Sequence, residues 1–538
     1  MKRKILDSGI WLQPIVFILV MYAFKVVFPS FLTLKHVLII FAGSFLPTVF
    51  LLIYYIGAPR ESEAFIGKEK AMYPPVDKAM LYKKPMGVVF GKYKGKYVCR
   101  PITADGHVFL IGGSGVGKSS TVVIPTLLSN PGTRIFAVDI KGELSYKTVK
   151  YGNKHVLIFN PQDRKSYGWN PFFNLKKSSS DQEILETTQV IVFSLISLGA
   201  DMKDAFWKNS ARNLLLGLML YYYKAGTVNF IGIIDEILNK PVRDSIKAVM
   251  DNAKDNSIER RYITQFSSME DETLGGIDAD MRNHLVVFAN DQDIRFAFKD
   301  NGRKIHPRLL EKGYSIYLAI REEKLTAYYD VLQLIINQTL AELEKRPEDS
   351  KPIIFIIDEL PRILSAGKID RLLDAARTLR SRKVVLFLVA QSTEALMDAF
   401  TENQVADLIS NCAYNVVLSA STRKTQDMVC RWCGKYKVRK QSWNLNGSDR
   451  RVSVSFEEKD IVEPSDLKML DKAGEAILIS PWGYNRIKKC PYYKDKIMGP
   501  KSQEIVKYNK TILQMETETK RCGNKSRSAQ GKKTKSSK

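Results

Sequence analysis

Cysteine is scarce in this chain, with six in 538 residues. Only Cys430-Arg-Trp-Cys433 has C-x-x-C spacing, and no second such pair accompanies it. Alone, that spacing builds neither a zinc nor a disulfide framework, so the cysteines read as reduced, partly buried thiols in a cytosolic compartment. Acid is the second shortage. Against 82 Lys and Arg stand 57 Asp and Glu, a formal net charge of +25. That excess favours a polyanionic partner, either nucleic acid or an anionic membrane surface. A third absence concerns the first apolar stretch, which lacks the small-residue cleavage site of a secretory signal. Hydrophobic content of 45% with 26% charged residues excludes a disordered chain.

The length exceeds what one core usually covers, so two or three domains are expected. After Met1-Lys-Arg-Lys4, an apolar run covers 10–28, interrupted only by Gln13 and Lys25; a second, uncharged run covers 37–56. Each is near the roughly twenty residues that cross a bilayer. The link 29–36 is too short for a domain, so residues 1–60 are expected to form a two-helix transmembrane hairpin. The basic start, with Arg60, Lys68 and Lys70 beyond the second run, places both ends in the cytoplasm.

Buried-strand runs follow at 107–111, 134–140 and 155–159, and again at 314–320, 352–357, 383–389, 414–418 and 476–480. They are apolar throughout, as a parallel sheet covered on both faces requires. Between the two sets lie helical patterns with few strand signals. The expected organisation is therefore α/β: a nucleotide-binding domain in two parts, 61–177 and 301–500, split by an all-helical insertion over 178–300. Beyond 501 apolar content falls and Lys, Ser and Thr dominate, which reads as a disordered basic tail to residue 538.

The chemistry is concentrated in two places. Gly112, Gly113, Ser114, Gly115, Val116, Gly117, Lys118 and Ser119 fit G-x-x-x-x-G-K-[ST], directly after a strand run, with Ser120 opening an apolar helical stretch. The glycines let backbone N–H groups face a phosphate, Lys118 reaches the β/γ oxygens, and Ser119 offers a hydroxyl to Mg²⁺. This predicts ATP or GTP binding. Hydrolysis needs a second half, and Ile353-Ile-Phe-Ile-Ile-Asp358-Glu359 supplies it: Asp358 for the metal, Glu359 for polarising water. Arg380, with Arg377 and Arg382 as rivals, is placed to project across a subunit boundary toward a neighbour's γ-phosphate. Gln391 closes the next strand, where its amide either senses the γ-phosphate or is idle beside a helix-capping Ser392. Asp139-Ile-Lys141-Gly-Glu143 ends the strand after the phosphate loop, either tuning the site or capping a helix.

These pieces together resemble the TraG/TraD-type coupling proteins of conjugative type IV secretion systems. The matching stretches are 112–119, Ile124-Pro-Thr-Leu-Leu, Val138-Asp-Ile-Lys-Gly-Glu143, Phe206-Trp207, Ser210-Ala-Arg-Asn-Leu-Leu-Leu-Gly217, Ile357-Asp-Glu-Leu-Pro361 and Ala390-Gln-Ser392. The resemblance implies a RecA-like P-loop ATPase that uses ATP and Mg²⁺ and works as a membrane-anchored homo-hexamer. It further implies relaxase-bound single-stranded DNA and secretion-channel components as partners. In that family the arginine eleven residues before the glutamine acts in trans, which falls on Arg380, and the glutamine, here Gln391, couples nucleotide state to the DNA-lining region. Arg380-Ser-Arg-Lys383 departs from the Gly-Arg-Lys-Tyr-Gly of many relatives, so Arg380 and Arg382 both stay open.

Two other readings compete. An FtsK-like duplex DNA pump shares the core and the anchor, but the polar tail after Pro481 is too short for its C-terminal DNA reader. A docking receptor for secreted proteins, with nucleotide serving assembly, is the alternative from another class.

Overall fold

The computed structural model describes residues 17–19, 21–23, 25–27 and 73–533, except 102–103, 131–133, 199–204, 300–301, 366–367 and 447–448; at 438–457 and 516–533 it describes the backbone alone. The chain divides into two units, Met1–Met72 and Tyr73–Lys538. In the first, the described residues are helical. Among the described residues no helix is long and apolar enough to cross a membrane, and most of the runs read as a transmembrane hairpin lies outside them.

The second unit is built on one twelve-stranded sheet. In chain order the strands of the molecule are β1 (Leu81–Tyr82), β2 (Val89–Tyr93), β3 (Lys96–Cys99), β4 (Val108–Ile111), β5 (Arg134–Asp139), β6 (Val156–Phe159), β7 (Gly168–Trp169), β8 (Lys304–Ile305), β9 (Ser315–Ala319), β10 (Ile353–Ile357), β11 (Val384–Ala390), β12 (Tyr414–Val417), β13 (Lys435–Asn446), β14 (Asp449–Asp460), β15 (Glu475–Ser480) and β16 (Gly483–Lys488). The large sheet runs β1-β3-β2-β16-β15-β12-β4-β11-β10-β5-β9-β6. From β12 to β6 every neighbouring pair is parallel; from β15 outward to β1 every pair is antiparallel.

The period-2 alternation of strand side chains sorts the apolar runs onto two faces. Phe109, Ile111, Phe136, Val138, Ile353, Phe355 and Ile357 join one core. Val108, Leu110, Ile135, Ala137, Ile354 and Ile356 join the other. Both faces are covered, so no residue of β10 is exposed, and each fully buried Ile or Phe contributes about 2 kcal/mol. Phe136 and Phe355 stack across the β5–β10 pair at 4.5 Å.

All elements described between Asp181 and Phe298 are helices: Asp181–Leu195, Ala205–Lys224, Phe230–Leu238, Val242–Asn252, Ile258–Ser267, Asp271–Asn283, Val286–Asn290 and Gln292–Phe298. The two chain passages at the base of this bundle pair as the short parallel ribbon β7–β8. Polar contacts tie the bundle and its base to the nucleotide-binding part. Buried Arg212 donates to Ile196 O at 2.6 Å and to Asp370 at 3.1 Å, and Trp169 Nε1 donates to Gln338 at 2.8 Å.

The tail expected to be disordered over 501–538 is helical where it is described, within the helix Met498–Lys533; 534–538 lie outside the described residues. Met498, Ser502, Ile505 and Asn509 recur at helical spacing and are all buried. Asn509 is fully saturated: its amide donates to Tyr146 O and Val149 O at 2.8 and 2.9 Å, and its carbonyl oxygen accepts from Tyr151 N at 2.9 Å. Two of the four docking residues are polar, so counting apolar side chains misses the stripe. The second difference is an isolated antiparallel ribbon, β13–β14, between the helices Arg423–Cys433 and Pro464–Ala473. Cys430 and Cys433 lie in the small core beneath it with Val429, Val462 and Leu467. Burial pushes their thiols up to about 11 and about 12, which keeps them protonated and unreactive.

Candidate functional site

The strands β4, β11 and β10 end side by side, with Ile111 opposite Ala390 and Leu388 opposite Ile357. In a parallel sheet the loops leaving these carboxyl ends share one crevice. The phosphate loop leaves β4, Gln391 leaves β11, and Asp358 with Glu359 leaves β10. Residues 239 positions apart thereby meet: Ser119 Oγ donates to Asp358 Oδ2 at 3.2 Å. Lys118 Nζ stands 3.8 Å from Glu359 Oε1, and Gln391 Nε2 donates to Glu359 Oε2 at 3.2 Å.

The loop needs its glycines for definite reasons. A Cβ on Gly112 would lie 2.7 Å from Val116 Cγ2 and 3.1 Å from Leu418, and Gly117 has φ +87°. Ser114 and Gly115 form the exposed crest, while Ser120 and Thr121 tie the first helical turn back to Gly117 O at 3.2 and 2.6 Å. That turn is a π-turn, Ser119–Val123, running into the helix Ile124–Ser129. Lys118 is almost fully buried and donates to Gly112 O and Gly113 O at 2.9 and 3.2 Å. Burial pulls its ammonium below the usual lysine value, and the charges of Glu359 and Asp358 oppose that shift.

The acids are unequal. Asp358 is buried and its carboxyl is raised to about 7, first by burial, then by the charges of Glu359 and Asp139. Asp139, at the end of β5 beside β10, is wholly buried. One of its oxygens accepts from Ser145 N and Oγ at 2.8 and 2.9 Å, capping the helix Glu143–Thr148, and the other has no hydrogen-bond partner. Glu359 is less buried and has φ +61° and ψ +47°, a left-handed conformation that costs a residue with a Cβ about 1 kcal/mol or more. Lys141 lies 3.8 Å from its Oε1.

Because the folded-state value of Asp358 is raised, its contribution to stability is greatest below the ordinary 3.8 and is lost as pH rises through about 7. The melting temperature of the protein without ligand should therefore fall across that window. Asp358→Asn should flatten the fall, as measured by thermal unfolding at a series of pH values.

Arg380 does not join the cleft. It sits before β11, at the opposite strand ends, where its charge is felt by His107 and Tyr414. His107 is neutral there, pushed down to about 4 by burial, accepting from Leu386 N at 3.0 Å and donating to Ala376 O at 3.0 Å. Arg377 is paired with Asp407 at 2.8 Å, and Arg382 stands 3.9 Å from Glu348. Arg380 is exposed and lacks a carboxylate partner among the described residues.

Two residues outside the motif complete the phosphate loop. Ser419 Oγ, just past β12, accepts from Gly113 N at 3.1 Å. Lys489 Nζ, just past β16, donates to Val116 O at 3.0 Å. Ser419 was findable, since the buried run of β12 ends level with β4. Lys489 carries no local signal, because an antiparallel strand delivers it.

Fold and site thus define a P-loop nucleotide-binding protein with a RecA-like α/β core. Residues 61–518 match the family described as Type IV secretory system Conjugative DNA transfer, and the chain belongs to that family. It is similar to Protein VirD4 of Rhizobium rhizogenes, 21% identical over 431 residues, covering 78% of this chain and 63% of that protein. It is likewise similar to the type IV secretion system-coupling protein VirD4 of Bartonella quintana, 21% identical over 403 residues, covering 69% of this chain and 60% of the relative. The chain thus spans less than two thirds of the length of these curated relatives. Among solved structures, the plasmid coupling protein TrwB in complex with the ATP analogue ADPNP superposes with a TM-score of 0.61 at 18% identity, over 79% of this chain and 96% of that one. This likeness establishes the fold.

Proposed function

We propose that the chain is a membrane-anchored ATPase coupling protein. In this reading it recruits relaxase-bound single-stranded DNA and drives it to or through a type IV secretion channel by ATP hydrolysis. The observation that carries it is the meeting of Lys118 and Ser119 with Glu359 and Asp358 in one cleft. The VirD4 relative is a secretion coupling protein by name, and TrwB has been solved with ADP and Mg²⁺. The net charge of +25 suits a motor that tracks a phosphate backbone without reading bases.

The donor set fits Mg²⁺, a hard cation that prefers oxygen ligands: Ser119 Oγ, the Asp358 carboxylate and, behind them, the unpartnered buried oxygen of Asp139. Ser119 would hold it directly and Asp358 through water, and the ion supplies neutralising charge at the β/γ oxygens. The loop amides of 112–120 cradle the phosphates. Lys118 leaves the Gly112 and Gly113 carbonyls to pair with the β/γ oxygens, Glu359 Oε1 accepts a proton from the attacking water, and Gln391, bonded to Glu359, carries the state of the cleft along β11. Arg380 of a neighbouring subunit in a homo-hexamer stabilises the γ-phosphate. The stretches 10–28 and 37–56 form the two-span anchor, with the bulk of the chain in the cytoplasm, and the bundle 178–300 receives the substrate.

The test is ATP hydrolysis by the full-length protein in lipid nanodiscs. Turnover should rise with circular single-stranded DNA and fall to background in Lys118→Ala. Equal stimulation by duplex alone would favour a duplex pump. No hydrolysis under any condition would leave only the receptor reading.

A further inference from the structure

Lys489 enters the site from the antiparallel half of the sheet, and no phosphate-binding motif contains it. Its side chain is only 6% exposed. Its ammonium makes two contacts, to Val116 O at 3.0 Å and to Asp471 Oδ1 at 2.6 Å. The backbone is held as well, with Lys489 N donating to Gly474 O at 2.9 Å beyond the helix Pro464–Ala473. A buried ammonium aimed at one loop carbonyl, and steered there by its own carboxylate, has a geometric consequence.

All described peptide bonds are trans. In a planar trans peptide the C=O and N–H point in opposite directions. Pinning Val116 O on the Lys489 side therefore turns Gly117 N–H to the other side of the loop. Gly117, at φ +87°, is conformationally free and does not by itself enforce that orientation. With Val116 O released, the peptide between two glycine-rich segments can rotate and present a carbonyl where an anion needs a donor.

We propose that Lys489, oriented by Asp471, is a positioning residue for the phosphate loop: it locks the Val116–Gly117 peptide so that the Gly117 amide serves the nucleotide phosphate. The idea rests on the proposed nucleotide-binding function. Lys489 sets how well the triphosphate is held and takes no part in bond breaking. Its loss should appear in affinity and KM and leave kcat nearly untouched. Arginine keeps a cation at the same carbonyl, so Lys489→Arg should restore much of the binding. Asp471→Asn removes the steering charge and should fall between.

The experiment uses the full-length protein and a fluorescent mant-ADP probe with Mg²⁺, together with steady-state ATP turnover. Lys489→Met should weaken probe binding by about tenfold or more, the size expected for losing a charge-assisted hydrogen bond. It should raise KM in parallel while kcat at saturating ATP stays within about twofold. Unchanged binding in Lys489→Met and Asp471→Asn, or a fall in kcat with binding intact, would overturn the proposal. If Lys489→Met does not fold, Lys489→Arg against Asp471→Asn decides it: Asp471→Asn must bind more weakly than Lys489→Arg, and equal wild-type affinity in both refutes the clamp. Failure of the wild type itself to bind mant-ADP would instead refute the nucleotide-binding function.

Discussion

Glu359→Gln is expected to abolish ATP turnover while leaving nucleotide bound. The substitution is isosteric. It keeps a side-chain oxygen for Gln391 Nε2, now 3.2 Å from Glu359 Oε2, and removes only the negative charge. Lys118 reaches other partners, the carbonyls of Gly112 and Gly113, so its place in the loop does not depend on Glu359. Binding should persist or tighten slightly, because a like charge near the phosphates is gone. Turnover should drop by at least about a hundredfold, the scale of a lost general base. The backbone supports this division of roles. Glycine would adopt φ +61° without strain, yet a glutamate stands there. The left-handed turn brings its carboxylate into the cleft, to Gln391 Nε2 at 3.2 Å and within 3.8 Å of Lys118 Nζ. Paired measurements of mant-ADP affinity and phosphate release decide the matter. Turnover within tenfold of wild type would remove Glu359 from the chemistry.

The residues that sequence alone locates best are those whose environment is uniform. Ile353 to Ile357 are apolar because both faces of β10 are covered, and the acids must follow where the strand reaches the crevice. The phosphate loop is legible because its glycines answer to a local backbone demand. Other features depend on distant parts of the chain. In the ribbon β13–β14 strict alternation is confined to Val452, Val454 and Phe456 with the serines between them; the partner strand Lys435–Asn446 is charged and mixed, so periodicity does not reveal the pairing. The terminal helix docks through Ser502 and Asn509, whose partners are carbonyls of 146–149. Lys489 is invisible for the same reason, since it is defined by the backbone atom it meets across the sheet, whereas Ser419 follows a readable strand run. Arg380 is an intermediate case. Its spacing from Gln391 is readable, but the physical separation follows only once β11 is known to be extended throughout.

That separation makes Arg380→Ala the sharpest test of assembly. β11 holds seven residues, Val384–Ala390, which at about 3.3 Å each span roughly 20 Å. Gln391 lies at one end beside Glu359, and Arg380 precedes the other, where the turn is anchored by Lys383, paired with Asp105 at 3.0 Å. No arginine side chain crosses that distance to its own cleft. Arg380 is exposed and, unlike Arg377, has no salt bridge to break among the described residues, so alanine should leave stability and single-chain nucleotide binding unchanged. Turnover should nevertheless fall about a thousandfold, as for a missing arginine finger supplied in trans. The decisive experiment mixes two dead variants. An Arg380→Ala subunit has an intact cleft and needs a neighbour's arginine; a Glu359→Gln subunit has a dead cleft and an arginine to lend. Co-assembled rings should recover a measurable fraction of wild-type hydrolysis, peaking near equal amounts of the two chains. Arg377→Ala and Arg382→Ala, whose side chains face carboxylates of their own subunit, should each cost no more than a few-fold. Recovery in the mixture requires that the arginine act across a boundary; its absence, with Arg380→Ala inactive, would make Arg380 a structural element of its own subunit instead.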